Sequence, residues 1–121
     1  MNQRKGLARI IAATGYSYKG VKAAWKHEEA FRQEVVLMLL MAPLAFWVGD
    51  NFAEQMILLG SVVLVVVVEL LNSAIEAITD RVSTDYHKLS GRAKDMGSAA
   101  VFVALFLMIF VWGVKIYQLL M

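Results

Sequence analysis

The chain has 121 residues, 60% hydrophobic and 18% charged, with a formal net charge of +2; its mean hydropathy is +0.61, and soluble domains are only about 45–50% apolar. A globule this small has too little interior for so many large aliphatics, because its surface fraction is high; a bilayer takes them without that limit. The charge is too small to argue for a nucleic-acid partner, and the absence of cysteine removes disulfides and thiolate metal sites.

Residues at about 4–26 read as an amphipathic surface helix. Leu7, Ile10, Ile11, Thr14, Tyr18, Val21 and Trp25 recur at helical spacing on one side, and Arg4, Lys5, Arg9, Lys19, Lys22 and Lys26 occupy the other. Such a helix is expected to lie in the membrane interface, lysines toward anionic headgroups and Trp25 at headgroup depth. The basic start is followed by an amphipathic rather than a continuously apolar run, so no cleavable signal peptide is expected. Gly15 and Gly20 each cost about 1 kcal/mol relative to Ala, which marks a break or a close ligand contact there.

Three spans follow, at about 30–48, 53–81 and 91–120. The first carries Arg32, Gln33 and Glu34 at its start and Pro43 inside, a candidate kink. Its apolar run covers about 27 Å, slightly short of the roughly 30 Å of hydrocarbon. Gly49, Asp50 and Asn51 form the first turn, and a polar loop at 83–90 separates the second span from the third. Lysine and arginine crowd the amino-terminal side (Arg4, Lys5, Arg9, Lys19, Lys22, Lys26, Arg32) and the second loop (Arg81, Lys88, Arg92, Lys94). The first turn has none, and Lys115 stands alone near the carboxyl end. The amino terminus and second loop are therefore expected in the cytoplasm, and the first turn and carboxyl terminus outside.

The second span carries the chemistry. After thirteen uncharged residues at 56–68 comes ELLNSAIEAITD at 69–80. Glu69, Glu76 and Asp80 fall within about 40° of one another at roughly 100° per residue, with Asn72 flanking them. Glu69 lies about 22 Å along the helix from Glu54 at 1.5 Å per residue, below the cytoplasmic boundary. Glu76 sits near that boundary and Asp80 beyond it. Glu28, Glu29, Glu34, Lys94 and Asp95 belong to the same level. Interhelical salt bridges and hydrogen bonds are one reading, since polar side chains glue membrane helices. Against it, Glu28, Glu69, Glu76, Asp80 and Asp95 outnumber Arg32, Arg81 and Lys94, and surplus carboxylates repel unless a proton or a divalent cation joins them. Mg²⁺ is bound by one or two carboxylates plus substrate phosphates, and Glu69, the deepest acid, is the candidate general base. The geometry suits a lipid hydroxyl meeting a soluble phosphoryl donor, although no Walker A sequence or kinase-type glycine loop is present. A proton or ion pathway and a non-catalytic assembly subunit remain open. His27 and His87 lack metal-ligand spacing, and Gly97, Ser98, Ala99 and Ala100 suit close helix packing.

The run VELLNSAIEAITDRVSTDYHKLSGRAKDMGSAAV at 68–101, with EAFRQE at 29–34 and GYSYKG at 15–20, closely resembles the bacterial integral-membrane diacylglycerol kinase family over nearly the whole chain. The resemblance implies an all-α membrane protein of the bacterial inner membrane, a homotrimer of three-span subunits, each with an amino-terminal surface helix. It also implies Mg²⁺- and ATP-dependent phosphorylation of diacylglycerol to phosphatidic acid, at sites near subunit boundaries. A polyprenol kinase, acting on undecaprenol, shares the fold and core motif and is the alternative. Carried over by position, Glu69 looks like the general base, with Asn72 orienting groups beside it, and Glu28 and Glu76 look like the metal-coordinating pair. Asp80, Lys94 and Asp95 would serve the nucleotide, with Lys94 on its phosphates. Arg9, Tyr16, Asp85, Tyr86 and His87 match nucleotide-contacting positions; the family often carries Glu where this chain has Asp85. Lys22, Trp25, Ala30, Phe31, Arg32, Gln33, Glu34, Trp47, Asp50, Gln55, Ser98, Trp112 and Tyr117 match lipid-lining positions.

Overall fold

The computed structural model describes residues 5–82 and 88–121. Its elements are all helical: α1 (Leu7–His27), α2 (Glu29–Val48), α3 (Phe52–Val82) and α4 (Lys88–Leu120). The last three are long and apolar enough to cross a membrane, as the hydropathy of the sequence leads one to expect. α4 starts inside the segment read as polar loop, at Lys88, because LSGRAKD continues a helical run without proline. α1 continues unbroken through Gly15 and Gly20, so the cost of two glycines is outweighed by the good helix formers around them.

The corner between α1 and α2 is a single extended residue, Glu28, at φ −117° and ψ 106°. Its N–H donates to Ala24 O at 2.8 Å. Arg32, one turn into α2, turns its guanidinium back and donates to the carbonyls of Trp25 (2.7 Å) and Lys26 (3.2 Å). A cation thus satisfies carbonyls that the end of α1 leaves without intrahelical donors. Phe31, 2% exposed, and the buried Ala24 close the inside of the bend.

The turn from α2 to α3 is built by side-chain caps. Asn51 Oδ1 accepts the Glu54 N–H at 2.9 Å, and Glu54 Oε1 accepts the Asp50 N–H at 3.0 Å, a reciprocal arrangement close to a capping box. Gln55 Nε2 donates to the carbonyls of Phe46 (3.2 Å) and Gly49 (3.3 Å) at the end of α2. Gly49 has no room for a side chain: a Cβ there would stand 2.6 Å from Gln55 Cγ and 2.9 Å from Ala45 O.

α3 is the central helix, packed on α2 along one side and α4 along another. No close backbone contact joins α2 to α4 among the described residues. The core is Ala45 from α2, Leu58, Val62 and Val65 from α3, and Ala104, Met108 and Trp112 from α4. The alanines let the helices approach closely, which drives association where lipid offers no hydrophobic gain. Trp112 also donates its indole N–H to Leu58 O at 3.1 Å. Much of the remaining aliphatic and aromatic surface, including Leu39, Leu40, Phe102, Phe106 and Ile109, faces outward.

Candidate functional site

The inward seam of α3 turns polar at Glu69. Glu69 (5% exposed), Asn72 (8%) and Ser73 (7%) are all buried, in helical register with Val62 and Val65. Ser73 folds back and donates its hydroxyl to Glu69 O at 3.0 Å, leaving the glutamate side chain to its neighbours across the seam. From α2 comes Glu34, its carboxyl within hydrogen-bonding reach of Glu69. From α4 comes Gly97, whose Cα lies so close to Asn72 that a Cβ would overlap the amide oxygen.

Two buried acceptors in this cluster, Glu34 Oε2 and Asn72 Oδ1, have no hydrogen-bond partner among the described residues. A buried polar atom left unsatisfied costs about 1–3 kcal/mol. Both oxygens belong to the cluster around Glu69, where the Asn72 amide N–H₂ is also present.

One turn further along α3 stands Glu76, half-buried, and Glu28, Glu69, Asp80 and Lys94 all act on it electrostatically. Helix periodicity places Glu69, Glu76 and Asp80 on one side of α3; the one-residue corner carries Glu28 to the same end, and the start of α4 supplies Lys94. Lys94 forms an ion pair with Asp80 across the α3–α4 gap. Both side chains are substantially exposed, 43% and 64%, so the pair is free to exchange partners at little cost. Among the described residues no group of three or more acidic, histidine or cysteine side chains converges as a metal cage. Glu28 acts on Glu76 electrostatically at this end, and one or two carboxylates together with substrate phosphates could hold a cation.

Beside these residues a groove of about 500 Å³ runs between α1 and α3, lined by Ser17, Gly20, Ala24, Glu28, Ser73 and Ala77 among others. Arg9, Tyr16, Lys22 and Trp25 lie exposed along α1, and Ala30 and Gln33 are exposed on α2. Asp95 and Ser98 are exposed on α4, flanking the buried Gly97. Asp85, Tyr86 and His87 lie outside the described residues.

Five of the positions that the resemblance matched to lipid lining lie at the opposite end of the spans: Trp47, Asp50, Gln55, Trp112 and Tyr117. Trp47 (80%) and Tyr117 (63%) are exposed, whereas Trp112 (8%) belongs to the core. Asp50 Oδ2 (3.1 Å) and Glu54 Oε1 (2.8 Å) both accept from Lys115 Nζ, and the lysine side chain is only 6% exposed. This ion triad ties the far end of α4 to the α2–α3 turn. In the sequence Lys115 registers only as a lone charge, because its partners are sixty-odd residues away.

Fold and site together define a small, all-helical protein with three membrane-capable helices and an acidic cluster at one end of them. The model of the prokaryotic diacylglycerol kinase family matches residues 15–116, and the chain belongs to that family. It is 50% identical to the diacylglycerol kinase of Escherichia coli K12 over 117 residues, 97% of this chain and 96% of that protein. The diacylglycerol kinase of Haemophilus influenzae is 48% identical over 113 residues, 93% of this chain and 96% of that protein. That of Pseudomonas aeruginosa is 50% identical over 108 residues, 89% and 88% of the two chains.

Proposed function

We propose that the chain is a lipid kinase that transfers the γ-phosphoryl group of ATP to the free hydroxyl of diacylglycerol, giving phosphatidic acid and ADP. Family membership supports the reaction class. The observation that carries the site is the buried Glu69 flanked by two unpartnered acceptors, Glu34 Oε2 and Asn72 Oδ1. A buried carboxylate beside these two oxygens suits a hydroxyl group, which brings its own proton to them and is the nucleophile of this reaction.

In this reading Glu69 takes the hydroxyl proton as the alcohol oxygen attacks the γ-phosphorus. The new O–P bond forms as the bond to the ADP oxygen breaks. Asn72 and Glu34 hold the alcohol end in register. Lys94 leaves its exposed pairing with Asp80 to meet phosphate charge, and Asp80 and Asp95, with Arg9 and Tyr16 on α1, flank the nucleotide. Glu28 and Glu76 would hold Mg²⁺, which when bound supplies charge neutralisation to the phosphates. Burial at 5% exposure keeps bulk water from competing with the lipid hydroxyl at Glu69.

The setting follows from the same reading. The chain is multi-pass in the bacterial inner membrane, with α1 in the cytoplasmic interface and the acidic end of the spans on the ATP-bearing side. Subunits assemble as a homotrimer, which gives the outward apolar faces of α2 and α4 partners as well as lipid. The test is a substrate panel: purified protein in mixed micelles with labelled ATP and Mg²⁺ should phosphorylate diacylglycerol well ahead of undecaprenol. Preferred turnover of undecaprenol, or of neither lipid, refutes the assignment.

A further inference from the structure

At one point of the α3–α4 contact, a side chain of α3 fills space where α4 supplies no side chain. Gly97 is buried on α4, and a Cβ built on it would overlap Asn72 Oδ1 and stand 3.2 Å from Asn72 Cγ. The next neighbour, Ile75 Cδ1, would lie at an ordinary 3.7 Å. The space that the glycine leaves is therefore occupied by one group, the carboxamide of Asn72. On the same helices Gly60 and Gly113 would meet nothing within 4 Å, so the overlap at Gly97 is not shared by those two.

Asn72 has few other restraints. Its oxygen is buried without a hydrogen-bond partner among the described residues, so no donor among them fixes the rotation of the amide plane. On the α4 side the amide occupies the volume that a Cβ on residue 97 would fill. A carboxamide carries a donor and an acceptor at its two ends, and which of them faces the reacting hydroxyl depends on that rotation.

We propose that Gly97 is a positioning residue for the phosphoryl transfer, setting the orientation of the Asn72 amide beside Glu69 by leaving it the volume of a side chain. The inference rests on the assignment of Asn72 to the lipid-hydroxyl site, and it takes Gly97 beyond helix packing. A methyl group at 97 displaces the amide by about the overlap it creates, without touching Glu69, the nucleotide residues or the far end of the spans. Misplacement of a reacting constellation by about 1 Å costs about 10²-fold in rate, so the loss falls on kcat, with KM for ATP and lipid retained.

The experiment is a double-mutant cycle on Gly97→Ala and Asn72→Ala in mixed micelles, with Gly60→Ala as the control for an added methyl on a span. Helical content and thermal midpoint are read alongside kcat and KM. The expected result is a kcat loss of at least tenfold in Gly97→Ala with little change in KM, and no further loss when the methyl is added to Asn72→Ala. Losses that multiply in the double variant, or full turnover in Gly97→Ala while Asn72→Ala is impaired, overturn the role of Gly97 and leave the kinase site standing. Full turnover in Asn72→Ala removes Asn72 from the site and overturns both. If Gly97→Ala does not fold, the double variant decides: with the amide gone the methyl has room, so it should fold and match Asn72→Ala, and a double variant that also fails to fold overturns the proposal.

Discussion

Glu69→Gln is the sharpest perturbation of the proposed chemistry, because it changes one atom in a site whose surroundings are fully built. The side chain keeps its length and its place, 5% exposed on the inner seam of α3. Its new amide donates to the Glu34 carboxyl, the group already within hydrogen-bonding reach, so a facing pair of acceptors becomes a donor and an acceptor. Folding should be unharmed or improved. Proton abstraction, however, is lost. A positioned general base contributes about 10²–10⁴-fold, which corresponds to about 2.7–5.4 kcal/mol of barrier at 1.36 kcal/mol per factor of ten. The burial that keeps water out also keeps water from replacing the base, so the expected loss lies toward the upper end. The measurement is kcat and KM for diacylglycerol and ATP in mixed micelles, with thermal unfolding of the same preparation. A stable Glu69→Gln protein that turns over at the normal rate refutes the general-base role.

Other substitutions separate chemistry from architecture. Lys94→Met should lower turnover strongly while leaving the thermal midpoint almost unchanged, since its ion pair with Asp80 is largely solvated; a stability loss without a rate loss refutes the phosphate role. Val65→Ala, at 1% exposure in the core, should destabilise the protein by about 2 kcal/mol in a reversible unfolding titration, with activity per folded molecule retained. Trp112→Phe keeps a buried aromatic ring but loses the five-membered ring of the indole and its bond to Leu58 O. It should cost about 1 kcal/mol in the same titration, and a larger effect on the lipid KM than on stability would instead return Trp112 to the substrate.

The architecture was legible because its signals are local. An apolar run of span length needs no partner to be read, and the turn at 49–51 carries its own caps. The acid stripe was legible for the same reason: Glu69, Glu76 and Asp80 share one side of any α-helix. What was not legible is how α3 and α4 are rotated against each other, because periodicity describes each helix separately. That rotation puts Gly97 on Asn72 and brings Lys115 to Asp50 and Glu54. It also makes Trp112 a core residue with an internal acceptor, where the sequence offers only an aromatic near a membrane boundary. Arg32 is a similar case. Its bonds to the carbonyls of Trp25 and Lys26 exist because the chain reverses at the single residue Glu28, and no composition rule announces a one-residue corner.

The placement of Glu69 follows from the seam that holds the molecule together. Leu58, Val62, Val65, Glu69 and Asn72 succeed one another by steps of four, three, four and three residues, so all face the same way from α3. The acid is buried because the seam is buried; no separate device is needed to carry a carboxylate below the membrane surface. The same seam argues against a conduction role. Between Glu69 and the Lys115–Glu54 pair at the other end, the inner face of α3 presents Val65, Val62 and Leu58 against Ala104, Met108 and Trp112. Ser61, the buried polar side chain in that stretch, donates its hydroxyl to Leu58 O at 2.9 Å. Among the described residues, then, the two charged ends are separated by closely packed apolar side chains with no titratable group between them. A chain that carries acids at one end of such a seam is equipped to act on a group delivered to that end, not to pass an ion along its length.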